Sequence, residues 1–323
     1  MAAAPALNLV ADIGGTNTRV ALADGAVLRA ESIRRFRNAG QPGLEPILHS
    51  YLAEAGSPQI DGACVAAAGP VRDGVAEMTN LSWIIDAGTL TRPTGAARVA
   101  ILNDLQAQGH ALGHVAPEHL RAIVPGPQAP AGAARLVIGV GTGFNAAPVH
   151  EGPGGRVVAP SECGHVNMPV RTAADLRLAQ FVETAHGFPG VEDVLSGRGL
   201  ERLYAFVTTE AGTPQEAEAA AIMAALADEG GAGPATETAR LFTRLLGAEA
   251  GNLALIHLPF GGVYLCGGVA RAFAAHLGPM GFAAAFRDKG RFAGFMADFP
   301  VWLVEDDYAA LTGCAVHLTA QAA

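Results

Sequence analysis

The sequence has few charged residues, and basic residues are the scarcer kind. Charged residues occupy 16% of the 323 positions, with 21 Lys and Arg against 30 Asp and Glu, and the formal net charge is −9. Clustered Lys and Arg are what a protein needs to neutralise the phosphates of a nucleic acid, so the composition argues against such a partner. The richest basic stretch, residues 29–37, is short and includes Glu31, which is typical of a solvated face.

Cysteine is also scarce, and the four cysteines lie far apart in sequence. Their spacing contains no zinc-binding or redox motif. Two of them lie in apolar runs, where we expect small core residues. The two in apolar runs are Cys64 and Cys266, and the other two are Cys163 and Cys314.

The sequence lacks both an export signal and a membrane-spanning run. Its first residues contain no basic region and reach Asp12 early, unlike a signal peptide. The longest uncharged stretch, residues 253–270, is interrupted by Pro259 and by two pairs of glycines, which favours a helix end followed by a buried strand. We therefore expect a soluble, cytoplasmic protein.

The most informative segment present is residues 9–24, LVADIGGTNTRVALAD. Two apolar runs flank a Gly-Gly-Thr turn, and this pattern predicts two buried strands joined by a hairpin. The glycines leave bare backbone that an anion can approach, and Asp12 lies where a hydrated Mg²⁺ would bridge protein and phosphate. A nucleotide phosphate site is one interpretation, and an ordinary glycine-rich hairpin is the other.

Strand and helix patterns alternate along the chain, which predicts an α/β architecture, and the length favours two domains. Predicted strands cover residues 62–68, 99–102, 136–140, 262–266 and 301–304. Predicted helices cover residues 43–55, 173–185, 214–227 and 236–254. Residues 125–134 are rich in Pro, Gly and Ala and are predicted to form a surface loop.

The pattern of strand, Gly/Thr turn and strand occurs twice. Residues 136–149, LVIGVGTGFNAAPV, repeat the arrangement of residues 9–24. The repeat predicts two related domains that face one cleft, each contributing a phosphate loop. A dinucleotide-binding fold is the alternative for GVGTG, but the residues after this turn resemble a strand rather than the helix which that fold requires.

Polar residues follow several predicted strands, and each has a structural alternative. Asn103 and Asp104 follow a strand, where a ligand contact or a helix N-cap is expected. Glu162 and His165 lie in a loop between two prolines and could be a metal pair, a ligand site or a hydrogen-bonded surface loop. Glu192 is predicted to begin a helix that residues 196–199 end, and an acid there is often a dipole partner. Gly267 and Gly268 are interpreted as a tight strand-to-helix turn or a contact for adenosine.

Taken together and in order, these segments resemble the ATP-dependent bacterial glucokinase family. The resemblance extends from Leu9 to about Leu318 and rests on DIGGTNTR, MTNLSW, LNDLQAQ, GVGTG, ECGH, VEDVLSGRGL, FGGVYLCGG and FRDKGRF. It implies a two-domain actin-like ATPase fold of the actin/hexokinase/Hsp70 kind, with ribonuclease H-like domains and a central cleft. The small domain would comprise residues 1–112 and 304–323, and the large domain residues 113–303.

The resemblance also implies roles for individual residues in phosphorylating the 6-hydroxyl of glucose. Asp104 would be the general base, and Asp12 would hold Mg²⁺ through water. The other hydroxyls of glucose would meet Asn103, Glu162, His165 and Glu192. ATP would contact Gly14, Gly15, Thr16, Asn17, Thr142 and Gly143, with Gly267 and Gly268 near the adenosine.

The resemblance leaves the sugar and the assembly to be tested. Members of the family often have Gly where Cys163 stands and Leu-Gly where Phe144 and Asn145 stand, so sugar specificity and phosphate seating depend on these residues. The Cys-rich zinc motif of the related ROK kinases does not follow His165, which argues against a structural zinc. Alternatives are a kinase for another hexose or amino sugar and a non-catalytic sugar sensor. A homodimer is implied by the family.

Overall fold

The computed structural model of the protein describes residues 5–321. Its strands are β1 (Leu7–Ile13), β2 (Asn17–Asp24), β3 (Val27–Leu28), β4 (Arg34–Arg37), β5 (Gly62–Ala67), β6 (Val71–Arg72), β7 (Val75–Glu77), β8 (Ile84–Ile85), β9 (Arg98–Asn103), β10 (Leu120–Val124), β11 (Arg135–Val140), β12 (Phe144–Gly152), β13 (Gly155–Val158), β14 (Val263–Cys266) and β15 (Val301–Val304). Its helices are α1 (Leu44–Glu54), α2 (Ala87–Thr94), α3 (Asp104–Ala111), α4 (Ala173–His186), α5 (Gly197–Glu210), α6 (Ala219–Asp228), α7 (Pro234–His257), α8 (Gly268–Ala272), α9 (Phe282–Arg287) and α10 (Ala309–Ala320).

The chain divides into two compact units. Unit 1 contains the residues up to 117, the segment 153–160 and the residues from 306 onward, and unit 2 contains residues 118–152 and 161–305. The sequence placed segment 153–160 in the large domain, whereas its contacts group it with unit 1. Its Arg156 donates hydrogen bonds to the carbonyls of His110 and Leu112 at the end of α3, which explains this grouping.

Unit 1 is built on a sheet of strand order β3-β2-β1-β5-β9, with β4 also pairing with β2. Strands β1 and β2 form the predicted antiparallel hairpin, while β1, β5 and β9 run parallel. Alternate residues of β1 face opposite sides of the sheet: Leu9 joins one apolar cluster with α1 and α2, and Val10 joins another with α3 and α10. Because both faces are covered, the strand is an almost continuous apolar run.

Unit 2 repeats this order of strands. Within it the strand order is β10-β15-β14-β11-β12, with β11 and β12 antiparallel and β11, β14 and β15 parallel. The sequence repeat is therefore confirmed as a repeat of topology. In both units the first strand of an antiparallel hairpin pairs, on its other edge, with a parallel strand. The helices of unit 2 supply its large core, which includes Phe242, Phe273, Phe282 and Phe286.

Most predicted elements are confirmed, and two helix predictions are wrong at their boundaries. The helix predicted for residues 214–227 begins at Ala219, because the backbone of Gln215 is bonded to the Thr208 hydroxyl instead of continuing a helix. Residues 196–199 begin α5 and do not end a helix: the Ser196 side chain accepts a hydrogen bond from the Gly199 N–H as an N-cap.

The apolar stretch of residues 253–270 forms the end of α7 and then β14, as expected. Between residues 5 and 321, none of the helices combines the length and the apolar character that spanning a bilayer requires.

Candidate active site

The first group of predicted site residues lies at the carboxyl ends of the three parallel strands of unit 1. The register aligns Ile13, Ala67 and Asn103 across β1, β5 and β9. Asp12 and Asp104 therefore lie at the same edge of the sheet, on either side of β5. This is the edge at which open α/β sheets place ligand contacts.

Asp104 is the first residue of α3, and its environment favours the neutral carboxylic acid. Burial and the negative charge of Asp12 raise the pKa of Asp104 to about 6. The Leu105 N–H donates to its Oδ1 at 2.9 Å, which opposes this rise. A carboxylate with a pKa close to neutrality is still mostly ionised at pH 7 and is a stronger base than an ordinary aspartate.

The capping interpretation of Asn103 is confirmed. Its Oδ1 accepts from the Leu105 N–H at 2.9 Å, and the Gln106 side chain accepts from the Asn103 N–H at 3.0 Å, which completes a capping box. Its Nδ2 donates to the Gly69 carbonyl at 3.0 Å. An amide nitrogen carries two hydrogens, so Asn103 retains one donor for a ligand.

Two residues that contact the turn at residues 14–16 or the neighbouring Asp12 were missed in the sequence analysis. Buried Asn38 donates from Nδ2 to the Gly14 carbonyl at 2.7 Å and accepts from the Thr18 hydroxyl at 2.8 Å. Arg19 donates to Asp12 Oδ2 at 3.1 Å. Asn38 follows the exposed strand β4 in sequence, and no local pattern marks a residue there as a clamp for the turn.

The donors in this part of the chain suit a hydrated Mg²⁺ rather than a protein-caged metal. Among the described residues, no group of three or more His, Cys, Asp or Glu side chains is arranged to hold a metal ion. Mg²⁺ commonly binds through one or two carboxylates, phosphate oxygens and several retained waters. The partly buried carboxylate of Asp12 fits that role, and no third ligating side chain joins Glu162 and His165 within the part of the chain that the structure describes.

The second group of predicted site residues lies in unit 2, where three loop segments converge. They are the turn at residues 141–145, the short 3₁₀ segment Cys163–His165 and the turn at residues 190–193. The Glu192 N–H donates to the Gly164 carbonyl at 2.8 Å, and Glu192 Oε2 accepts from the Phe144 N–H at 2.9 Å. Gly164 fits so closely that a Cβ there would overlap the Phe144 carbonyl oxygen.

Glu192 thus has a different setting from the one predicted. It lies in a turn before α5, not in the first turn of a helix, and one of its carboxylate oxygens holds the Gly143–Phe144 turn. The N-terminus of α5 is attached to the same turn, because the Gly197 N–H donates to the Gly141 carbonyl at 2.9 Å. Glu192 therefore connects the predicted sugar residues to the predicted second phosphate loop.

Glu162 and His165 are both exposed, with Cys163 half-buried between them. Glu162 Oε2 accepts from Asn145 Nδ2 at 3.3 Å. Burial raises the pKa of the Cys163 thiol, so this thiol is neutral near pH 7. Asn145, which we expected to influence phosphate seating, is directed at the loop that carries Glu162.

The Gly267–Gly268 pair is confirmed as a tight strand-to-helix turn. Gly267 follows β14 and is the N-cap of α8, with φ of 100°. The parallel register of β11 and β14 pairs Gly139 with Cys266, so this turn lies beside the turn at residues 141–143. The two glycine-rich turns of unit 2 are therefore neighbours.

A cavity of about 1460 Å³ in unit 2 contains none of these residues. Several charged residues of its lining form ion pairs, as in Arg171 with Asp288 and Arg240 with Glu237.

Comparison with known proteins identifies the family. Residues 9–321 match the glucokinase family. This chain belongs to the glucokinase family. A glucokinase from Pseudomonas paraeruginosa is 36% identical over 316 residues, which cover 97% of this chain and 92% of that protein.

Solved glucokinase structures share the fold of this family member. The crystal structure of a glucokinase from an Antarctic psychrotroph matches with a TM-score of 0.85 at 30% identity, covering 97% of this chain and 98% of that one. A glucokinase from Balamuthia mandrillaris, solved in complex with glucose, matches in fold with a TM-score of 0.81 at 23% identity over 98% of this chain and 94% of that one. The predicted family is confirmed, and the predicted α/β fold of a sugar kinase is confirmed with it.

Proposed function

We propose that this chain transfers the γ-phosphoryl group of ATP to the 6-hydroxyl of D-glucose, with Asp104 as the general base. Membership of the glucokinase family supports the reaction. The observation that supports the base is the raised pKa of Asp104, which lies beside Asp12 at the carboxyl edge of the unit 1 sheet. A retained catalytic aspartate of this kind argues against a sensor that only binds sugar.

In the proposed step, Asp104 accepts the proton of the 6-hydroxyl as the oxygen attacks the γ-phosphorus. A new O–P bond forms, the bond from phosphorus to the β,γ-bridging oxygen breaks, and ADP leaves with that electron pair. At pH 7 most of the Asp104 population is ionised and ready to accept, because its pKa of about 6 lies below the pH. A positioned general base of this kind contributes roughly 10²–10⁴ in rate.

ATP would be held by the two glycine-rich turns. In unit 1 the proposed contacts are Gly14, Gly15, Thr16 and Asn17, with Asp12 tethering Mg²⁺ through water. In unit 2 they are Thr142 and Gly143, with Gly267 and Gly268 near the adenosine. The ion, when bound, supplies charge neutralisation at the transferring phosphate.

Glucose would be recognised through Asn103, Glu162, His165 and Glu192, in addition to Asp104. These side chains present donors and acceptors that a pyranose can pair, and leaving them unpaired is how such a site rejects other sugars. Glu192 retains one carboxylate oxygen for this purpose, since Oε2 is bonded to the Phe144 N–H. A kinase for another hexose or an amino sugar is the second candidate, because Cys163 lies between two of these residues.

The remaining expectations from the sequence are proposals of the same kind. They are ribonuclease H-like domains around a cleft that closes on glucose, a cytoplasmic homodimer, and Mg²⁺ as the ion that accompanies ATP. Small-angle scattering with and without glucose tests closure, and sedimentation tests whether the particle has twice the chain mass.

The deciding experiment is an ADP-release assay across a panel of sugars, on the unmodified chain and on Asp104→Asn. We expect turnover with glucose, and a loss of at least about 100-fold in kcat for Asp104→Asn with glucose binding largely retained. Asp24→Asn is the matched control, because Asp24 lies in the same unit and pairs with Arg29 at the surface. Unchanged turnover in Asp104→Asn would remove Asp104 as the base, and turnover of another sugar without glucose would overturn the substrate.

A further inference from the structure

Asn145 contacts three consecutive residues of the loop that carries Glu162. It is the second residue of β12 and is half-buried. Its Oδ1 accepts from the Ser161 hydroxyl at 3.0 Å and from the Cys163 N–H at 3.2 Å. Its Nδ2 donates to the Ser161 carbonyl and, at 3.3 Å, to Glu162 Oε2.

Both ends of the amide contact the loop. The acceptor oxygen holds the backbone of the loop, and the Cys163 Sγ lies 3.5 Å from the same oxygen. The donor nitrogen bonds the Ser161 carbonyl and also reaches the Glu162 carboxylate itself. Because Glu162 is exposed, burial does not limit its rotamers, and a hydrogen bond to a charged oxygen is a means of favouring one of them.

The same loop is also held through its backbone at Gly164. The Gly164 carbonyl accepts from the Glu192 N–H, and Gly164 packs against the Phe144 carbonyl. Phe144 and Asn145 are adjacent on β12, so the first two residues of this strand hold the loop at two points. The position of Glu162 is therefore determined by the strand that follows the GVGTG turn.

We propose that Asn145 is a positioning residue for glucose recognition, which orients the Glu162 carboxylate toward a sugar hydroxyl. The proposal rests on the proposed function, since it requires Glu162 to contact the sugar. Asn145 contributes to glucose affinity through Glu162 and has no direct part in phosphoryl transfer.

Two substitutions at Asn145 test its contribution to glucose affinity. Asn145→Ala removes all of its side-chain hydrogen bonds, whereas Asn145→Asp retains the acceptor oxygen, loses the donor to the Ser161 carbonyl and places a carboxylate that repels Glu162. We expect either variant to raise the KM for glucose by about tenfold, with the KM for ATP changed by less than about twofold. A KM for glucose that stays unchanged in both variants would overturn the proposal.

A double-mutant cycle with Glu162→Gln tests whether the effect passes through Glu162. In Asn145→Ala/Glu162→Gln we expect a KM for glucose close to that of Glu162→Gln, since the second change removes what the first one orients. Independent effects that multiply would contradict the proposal. His150→Ala, an exposed position on the same strand, is the control and should leave both KM values unchanged.

A crystal structure of Asn145→Ala distinguishes failure of this proposal from failure of the proposed function. We expect the Glu162 side chain to leave its position in that variant, whatever sugar the enzyme uses. If the unmodified chain does not turn over glucose, the proposed function fails while the structural result still decides the role of Asn145. An unmoved Glu162 in a folded variant would sink the proposal.

Discussion

Asp104, the proposed general base, lowers the stability of the folded chain when it is ionised. Its pKa of about 6 exceeds the ordinary value of 3.8, which means that folding opposes ionisation of this carboxyl. A group of this kind favours folding most when it is protonated, below its unfolded pKa. Its contribution is lost as the pH rises through the folded pKa. The chain therefore retains a destabilising charge at neutral pH at the position of the proposed base.

We predict that Asp104→Asn raises the free energy of unfolding by up to about 3 kcal/mol at about pH 7.5, because the neutral amide avoids this cost. The gain should shrink through the interval between about pH 6 and about pH 4 and vanish below it, where Asp104 itself is protonated. Urea denaturation of the unmodified chain and of Asp104→Asn across this pH range measures the difference in the free energy of unfolding. A constant difference at every pH would show that the pKa of Asp104 is not raised.

At the scale of elements, one structural device occurs in both units. The sheet of each unit contains an antiparallel hairpin whose turn is rich in glycine, and the first strand of that hairpin pairs with parallel strands. In unit 1 Asn38 holds the turn from a separate strand end, and in unit 2 Glu192 holds it from the turn before α5. The glycines are visible in the sequence, but the side chains that hold them come from distant segments.

At Gly164 the loop that carries Glu162 packs closely against the Phe144 carbonyl of β12. We predict that Gly164→Ala destabilises the protein by about 1–3 kcal/mol, because its methyl group would displace the loop from the Phe144 carbonyl. The KM for glucose should rise at the same time, and thermal unfolding with steady-state kinetics measures both.

Gly294→Ala is the matched control in the same unit. Gly294 has a φ of −66° and open space around an added Cβ, so alanine should be tolerated there. If both substitutions lowered stability equally, the destabilisation at Gly164 would come from the change in backbone freedom and not from the contact with the Phe144 carbonyl.

For the whole molecule, ligand binding should raise the free energy of unfolding and therefore the Tm. A ligand that binds the folded state alone, at 100 times its Kd, stabilises by about 2.7 kcal/mol. We predict that glucose raises the Tm of the unmodified chain and of Asp104→Asn, and that it raises the Tm of Glu162→Ala much less. Fructose in place of glucose is the control, and equal shifts with both sugars would contradict selective glucose binding. Differential scanning fluorimetry makes the comparison.

The family, the α/β class and the position of the glycine-rich turns can be predicted from the sequence alone, because apolar runs and turn residues are local signals. Only the folded chain shows that Ser196 begins a helix and that segment 153–160 belongs to unit 1. It also shows that Asn38 holds the turn at Gly14 and that Asn145 holds the loop that carries Glu162. It also raised the pKa of Asp104, which depends on burial and on Asp12, 92 residues earlier in the chain. These outcomes depend on which distant segments meet, and no local pattern of residues encodes that.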